Sequence, residues 1–163
     1  MKLTRGAHAF YVDSKMGGTG SPAWYRVGKD IEDMSVDLGA DTETVKNILD
    51  ETSVRHNGYE PSIEADPFYA DPDDALYEPL KNIALNRLKG DQCKTSYLEV
   101  IIENTTDTDH DAWMEDCMLV PQSYGGDTSG FQIPFNVLPC GNRVKGYVTI
   151  TNKVPTFHEG SPA

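Results

Sequence analysis

Three aspartates, Asp107, Asp109 and Asp111, have the alternate spacing with which a calcium-binding loop begins. Such a loop needs glycine at its sixth position, for a sharp turn, and a bidentate glutamate at its twelfth. Counted from Asp107, those positions hold Ala112 and Met118. We therefore interpret the segment as an acidic hairpin turn and expect no metal site there.

The cysteines and histidines could in principle supply a nucleophile and its base. Cys93, Cys117 and Cys140 form no CxxC pair, and their odd number argues against a disulfide framework. No third partner is positioned in the sequence beside any of the histidines, which lie in unrelated segments: His8, His56, His110 and His158. We predict reduced thiols, with Cys93 and Cys117 packed as small buried hydrophobes.

Two further patterns are compatible with acid–base catalysis or phosphate binding, but neither requires such a function. Glu60 and Glu64 share one face of a predicted strand and could act as paired carboxylates, although surface strands often carry such pairs. The glycine-rich run 17–21 lacks the Gly-Lys-Ser/Thr ending of a phosphate-binding loop, so we interpret it as a linker. We predict that the protein is not an enzyme and holds no cofactor or metal.

The elements that would position these residues are mostly strands. Alternating or β-favouring residues, separated by Gly, Asp and Asn turns, predict roughly eight short strands in no βαβ order. The extended segments are 8–12, 24–27, 33–38, 53–56, 59–66, 96–103, 112–120, 131–137 and 143–151. Segment 96–103 is apolar on both faces, so neither face is expected to be fully solvated. The predicted fold class is mainly β: an antiparallel β-sandwich or barrel with one flanking α-helix.

The segment 57–66 predicts a hairpin followed by an alternating strand. Asn57-Gly58 is a strong signal for a tight turn that joins 53–56 to 59–66. In the second strand one face is formed by Tyr59, Pro61, Ile63 and Ala65, and the other by Glu60, Ser62, Glu64 and Asp66. We expect the first face to point inward.

One helix is predicted over residues 72–89. Asp71 is suited to the N-cap, Pro72 to the first turn, and Gly90 to the position after the last turn. The apolar stripe has helical spacing and is expected to pack on a sheet: Leu76, Leu80, Ile83 and Leu88.

The length of the chain suggests one domain, and its charge argues against a protein that binds nucleic acid directly. The 163 residues can bury a real core, and the net charge of -12 repels phosphates. We expect a flexible N-terminal arm at 1–22, a β-sandwich domain at 23–153 and a flexible tail at 154–163. The polar connection 41–50 predicts either a short helix or an extended arm. No signal peptide or membrane-spanning segment is predicted.

Several stretches resemble the major tail tube proteins of long, non-contractile-tailed phages and prophages. These are Gly28-Lys29-Asp30-Ile31-Glu32-Asp33, the run from Thr52 to Ile63, Asp66-Pro67-Phe68-Tyr69, Asn86-Arg87-Leu88 with Gly90-Asp91, and the strand 96–103. The resemblance covers most of 24–151, and the short chain end leaves no room for the extra immunoglobulin-like domain of some relatives.

The resemblance implies a structural virion protein. It implies hexameric rings that stack into a tail tube, assembled in the host cytoplasm, through which DNA passes without specific binding. Its partners would be further copies of the chain, the tape measure protein in the lumen, and the tail terminator and distal tail proteins, with no membrane.

The resemblance also gives roles to particular residues. Candidate lumen-facing acids are either Asp33 and Asp37 or Glu60, Glu64 and Asp66. The candidate inter-ring arm comprises Asp41, Thr44, Val45, Lys46, Ile48 and Asp50, and the helix with its stripe is a candidate brace between subunits. Two alternatives remain open: the tube protein of a contractile tail or secretion apparatus, and a monomeric ligand-binding β-barrel, which would contain an apolar cavity.

Overall fold

Most of the chain forms antiparallel strands, and the computed structural model describes residues 1–162. The strands are β1 (His8–Asp13), β2 (Trp24–Arg26), β3 (Val36–Asp37), β4 (Asp41–Lys46), β5 (Thr52–Gly58), β6 (Ser62–Ala65), β7 (Lys94–Ile101), β8 (Asp109–Pro121), β9 (Gly125–Asp127), β10 (Gly130–Gln132), β11 (Phe135–Thr151) and β12 (Val154–Glu159). The helix α1 spans Tyr77–Asn86, and short 3-10 helices lie at Arg5–Ala7 and Gly90–Cys93. The predicted fold class, mainly β with one α-helix, is confirmed.

One curled sheet forms the body of the molecule. Its strand order is β2-β1-β7-β8-β11-β6-β3, and β12 pairs with the second half of β11. Two pairs of strands stand apart as separate two-stranded sheets, β4 with β5 and β9 with β10. Every pairing is antiparallel, as expected for strands joined by turns rather than by crossover helices.

The two faces of the sheet bury separate cores. The larger core lies beneath α1 and contains buried residues of the helix and of five of the strands, among them Leu80, Tyr97, Leu119 and Phe135. The smaller core lies on the opposite face, because Leu98 and Val100 alternate with Tyr97 along β7. Trp24 of β2 and Phe157 of β12 pack on this smaller core. Its other members lie in strands, except Ile102, which follows β7. The sheet therefore curls around this second core.

A strand near each end of the chain belongs to the sheet, so the predicted flexible segments 1–22 and 154–163 are wrong where they contain β1 and β12, and residue 163 lies outside the described residues. Strand β1 lies between β2 and β7, and its residues from Ala9 to Asp13 are buried. Strand β12 pairs with β11 from Gly146↔Glu159 to Thr151↔Val154. Loop composition misled the prediction at both ends: the glycine-rich run 17–21 connects two paired strands, and Pro155 lies buried within β12.

The helix is shorter than predicted. It begins at Tyr77 rather than residue 72, and Asp71 caps a turn instead, accepting a hydrogen bond from the amide of Asp73 at 3.0 Å. It ends at Asn86, because Arg87 adopts a left-handed conformation (φ 54°), so Gly90 is not its terminator. The apolar stripe was correctly predicted to face a sheet: Leu76, Leu80 and Ile83 are buried in the main core and Leu88 packs against it. These four side chains pack within their own subunit, and the role of the helix as a brace between subunits stays a prediction.

The predicted hairpin across Asn57-Gly58 is also wrong. Strand β5 pairs with β4, which precedes it, and Asn57-Gly58 ends β5. Strand β6 pairs instead with β3 and β11. The inward face of β6 is as predicted at Ile63 and Ala65, both buried, but Tyr59 lies outside the strand and is 59% exposed.

Candidate functional site

The hairpin β4–β5 stands free of the sheet. From residue 41 to residue 57 every side chain is exposed except that of Val45, which is half-buried. Residues 41–46 of the predicted connection are extended as β4, and residues 47–50 form a turn. The predicted arm residues occupy this strand and turn: Asp41, Thr44, Val45, Lys46, Ile48 and Asp50. The sequence predicted an extended arm as one of two options and a strand at 53–56, but it did not predict that the two would pair.

The tip of the hairpin, residues 47–51, is ordered by its own hydrogen bonds. The Asn47 Oδ1 accepts hydrogen bonds from the amides of Leu49 at 2.9 Å and Glu51 at 3.0 Å. Asp50 takes a left-handed conformation (φ 62°) and lies 3.3 Å from the Lys46 Nζ. The turn holds Ile48 and Leu49 outward, and they are 101% and 71% exposed. Two large aliphatic side chains are therefore held in water by a well-defined turn.

An apolar cleft of about 760 Å³ opens at the base of the hairpin. Leu38 precedes β4 and Tyr59 follows β5, and both line the cleft together with Leu3, Val36 and Ile101. The two sides of the base are joined by the amide of Glu60, which donates to the Leu38 carbonyl at 3.1 Å. Leu3, Leu38 and Tyr59 are each more than half exposed, so the cleft has an apolar rim.

A charged cluster lies among the residues that line the cleft. Arg143 Nη1 donates to Glu115 Oε1 at 3.0 Å, Glu99 Oε1 at 3.3 Å and the Tyr97 hydroxyl at 2.9 Å. Tyr97 in turn donates to Glu115 Oε1 at 2.7 Å, and His8 Nε2 lies 3.0 Å from Glu99 Oε2. The glutamate side chains are only 12% and 10% exposed. Each buried carboxylate is therefore paired with the single guanidinium.

Strand geometry brings this cluster together. Tyr97 and Glu99 lie two residues apart on β7, and Glu115 lies on the neighbouring β8, paired with Tyr97. Arg143 comes from an irregularity of β11, where the register with β8 shifts between Gly141 and Val144. Asn142 in that irregularity has a left-handed conformation (φ 59°). The bulge turns the Arg143 side chain toward the two glutamates.

The cluster is suited to holding charge rather than to transferring protons. Burial alone would raise the pKa of Glu99, but the hydrogen bond from His8 and the charge of Arg143 outweigh it, so this pKa lies below its ordinary value. Burial, followed by the hydrogen bond to Glu115, raises the pKa of Tyr97, which keeps the hydroxyl neutral as a donor. The hydroxyl of the cluster, that of Tyr97, donates to Glu115, whose carboxylate is already paired with Arg143.

A signal for this cluster was present in the sequence, although the prediction did not use it. Glu99 lies between Tyr97 and Ile101 on the same face of a strand whose two faces are otherwise apolar. Glu115 occupies the same register as Cys117 and Leu119, which are buried. An acid in a buried register requires a partner. The identity of the partner, Arg143, depended on a bulge that no local pattern predicts.

The candidate lumen acids are all exposed, and two of them share a sheet face. Asp37 of β3 pairs with Ser62 of β6, and Ser62 and Glu64 point to the same side because they are two residues apart. Asp37 and Glu64, predicted as members of alternative sets, therefore lie on one face. The remaining three lie outside strands: Asp33 before β3, Glu60 before β6 and Asp66 after it.

The aspartates and cysteines considered in the sequence analysis for metal binding or nucleophilic chemistry lie apart from the cleft. Asp107 lies in the turn between β7 and β8, as the acidic-turn interpretation predicted, and Asp109 and Asp111 begin β8. Cys93 and Cys117 are buried as predicted and Cys140 is exposed, all with free thiols. Burial raises the pKa of the Cys117 thiol well above its ordinary value. Within residues 1–162 no three metal-binding side chains cluster, and no helix has the length and apolarity to cross a membrane.

The comparisons with known proteins assign no family. No protein-family model matches the chain, and no curated protein matches it.

Proposed function

We propose that this chain is a structural subunit that forms hexameric rings and stacks them into the tail tube of a long, non-contractile-tailed phage or prophage. The hairpin β4–β5 is the observation that carries the proposal. An exposed apolar tip on an ordered arm is a feature of surfaces that contact another molecule. Burial of an Ile or Leu side chain gains about 1.5–3 kcal/mol, and a ring would repeat the contact once per subunit.

The charges support a conduit for DNA. A net charge of -12 disfavours adhesion to phosphates, and Asp37 and Glu64 give one sheet face two exposed acids. In the proposed tube this face lines the lumen, and its carboxylates repel the DNA backbone during ejection. Contacts within a ring join different surfaces of neighbouring subunits and close at six, as heterologous interfaces do when their rotation closes.

Negative-stain microscopy of the purified protein at rising concentration tests the proposal. Rings and hollow filaments are the expected result. A uniform monomer of 18.0 kDa at every concentration would contradict it.

The lumen assignment has its own experiment. Asp37→Asn with Glu64→Gln should leave tubes intact and impair DNA ejection from particles built with the variant, because the wall loses repulsion. Glu103→Gln, an exposed acid outside the strands, is the matched control. Unimpaired DNA ejection by the double variant would contradict the assignment of these two residues to the lumen wall.

The cleft favours a second candidate, a monomeric ligand-binding barrel. A concavity of about 760 Å³ with apolar walls and a few polar groups has the size and character of a small-molecule site. Native mass spectrometry of freshly purified protein distinguishes the two functions. A stoichiometric small molecule on a persistent monomer would favour the barrel, and a series of oligomers without added mass would favour the tube.

A further inference from the structure

We propose that the cleft at the base of the hairpin is the receptor for the hairpin tip of a second copy of this chain. The inference rests on the proposed function and deepens it, because it assigns both halves of the contact between successive rings. The tip is formed by residues 47–51, with Ile48 and Leu49 as its apolar members. The receptor is the cleft with the apolar rim of Leu3, Leu38 and Tyr59.

The geometry of the hairpin prevents a chain from filling its own cleft. Leu38 and Tyr59 flank the base of the hairpin, whereas Ile48 and Leu49 lie beyond the far end of β4. A strand of six residues is about 20 Å long, and pairing along its length with β5 keeps it extended. The tip and the cleft are therefore unpartnered apolar surfaces at opposite ends of one arm. Only another molecule can bring them together.

Each surface carries one exposed charge that is complementary to the other, Arg5 in the cleft and Asp50 at the tip. Arg5 lines the cleft, where its guanidinium donates to the carbonyls of His8 at 2.9 Å and Met34 at 2.7 Å, and no carboxylate pairs with it in the part of the chain described. Asp50 at the tip is 88% exposed, and its ion-pair partner among residues 1–162 is Lys46. When Ile48 and Leu49 enter the cleft, Asp50 is available to pair with Arg5 of the receiving copy.

This arrangement joins copies without closing. A tip at one end and a receptor at the other end of the same arm make a head-to-tail contact, which leaves one free tip and one free cleft after every addition. In the proposed tube the contact carries growth along the axis, while separate contacts close each ring.

Two complementary variants test the inference. Ile48→Asp with Leu49→Asp disables the tip and leaves the cleft intact. Leu38→Asp with Tyr59→Asp disables the cleft and leaves the tip intact. All four side chains are more than half exposed, so both variants should fold, which circular dichroism and thermal unfolding verify. Val54→Asp, on the shaft of the hairpin, and Tyr124→Asp, outside the cleft, are matched controls, being 72% and 48% exposed.

The expected outcome is that each double variant forms rings but no filaments, while both controls form filaments. Mixing the two double variants should restore a single joint, giving particles of twice the mass of either component in analytical ultracentrifugation. Filaments from the cleft variant would overturn the inference and leave the proposed tube standing. Failure of the mixture to pair would also overturn it.

A crosslink tests the contact independently of the tube. In a Cys140→Ser background, which removes the exposed thiol, Ile48→Cys with Tyr59→Cys should give a disulfide-linked ladder under mild oxidation. The pair Val54→Cys with Tyr59→Cys should give none. Wild-type protein without rings or filaments, together with no ladder, would overturn both the tube and the cleft contact. A ladder without rings would overturn only the proposed tube.

Discussion

At the scale of single residues, Glu99 links the folded state to pH. Its pKa lies below the ordinary value in the folded protein, so its ionisation stabilises the fold above the ordinary glutamate range, and this contribution is lost as the pH falls through the folded-state pKa. Glu99→Gln should therefore show a smaller loss of unfolding free energy than wild type between about pH 5 and pH 3.

Urea unfolding across that range measures the effect. Glu64→Gln is the control, because Glu64 is exposed and forms no ion pair in the described part of the chain. Equal slopes of stability against pH for wild type and Glu99→Gln would contradict the prediction.

Gly146 marks a place where a strand has no room for a side chain. An added Cβ would lie 2.7 Å from the Phe157 ring and would also collide with the His158 carbonyl, so β12 would have to move. Gly146→Ala should destabilise the protein by about 1–3 kcal/mol, as overpacking does. Gly6→Ala is the matched control, with ordinary space around the new methyl group. Equal midpoints of thermal unfolding for the two variants would refute the assignment.

At the scale of elements, the helix α1 should behave as part of the core. Ile83 is 4% exposed and Leu85, on the opposite face, is 49% exposed. Ile83→Ala should cost about 2–5 kcal/mol of unfolding free energy, because it removes buried methyl groups and leaves a cavity. Leu85→Ala should cost about 0.5 kcal/mol or less. Chemical denaturation of both variants gives the comparison, and similar costs would count against this packing.

The elements also show how far the sequence could predict the structure. The alternation in β6 and the apolar stripe of α1 could be recognised in the sequence, because a strand or helix with one buried face repeats its apolar residues at a fixed spacing. Strand β7 could be recognised because it is apolar on both faces. Which strands pair with one another could not be predicted from the sequence. Asn57-Gly58 has the residue types of a tight turn, but it ends β5, and β5 pairs with β4, which precedes it in the chain.

The cleft depended on information that no local pattern carries. The residues of its charged cluster come from β1, β7, β8 and β11, and Arg143 reaches the others through a register shift. The acids Glu99 and Glu115 indicated that a partner was required, whereas only the assembled sheet identified it. The exposed arm was predicted because long polar connections commonly have a role of their own.

At the scale of the whole molecule, charge should control assembly. Each copy carries a net charge of -12, so copies repel one another at low ionic strength, and this repulsion outweighs a single pair such as Arg5 with Asp50. Filament formation should increase as salt is raised from about 10 mM to about 150 mM, where the Debye length falls to about 8 Å. Light scattering during a salt titration measures it. Dissolution of filaments over this range would show that attractive ion pairs dominate instead.

Strand β11 has a consequence for how the molecule comes apart. It pairs with β8 along most of its length, with β6 near its start and with β12 near its end, and it contributes Val137 to one core and Val148 to the other. Neither core can open without loosening a strand that the other requires, so the body should unfold in one cooperative transition. The hairpin β4–β5 has no share in either core, and its amides should exchange with solvent through local fraying long before those of β11. A subunit of this design can search for a partner with its arm while its body stays folded.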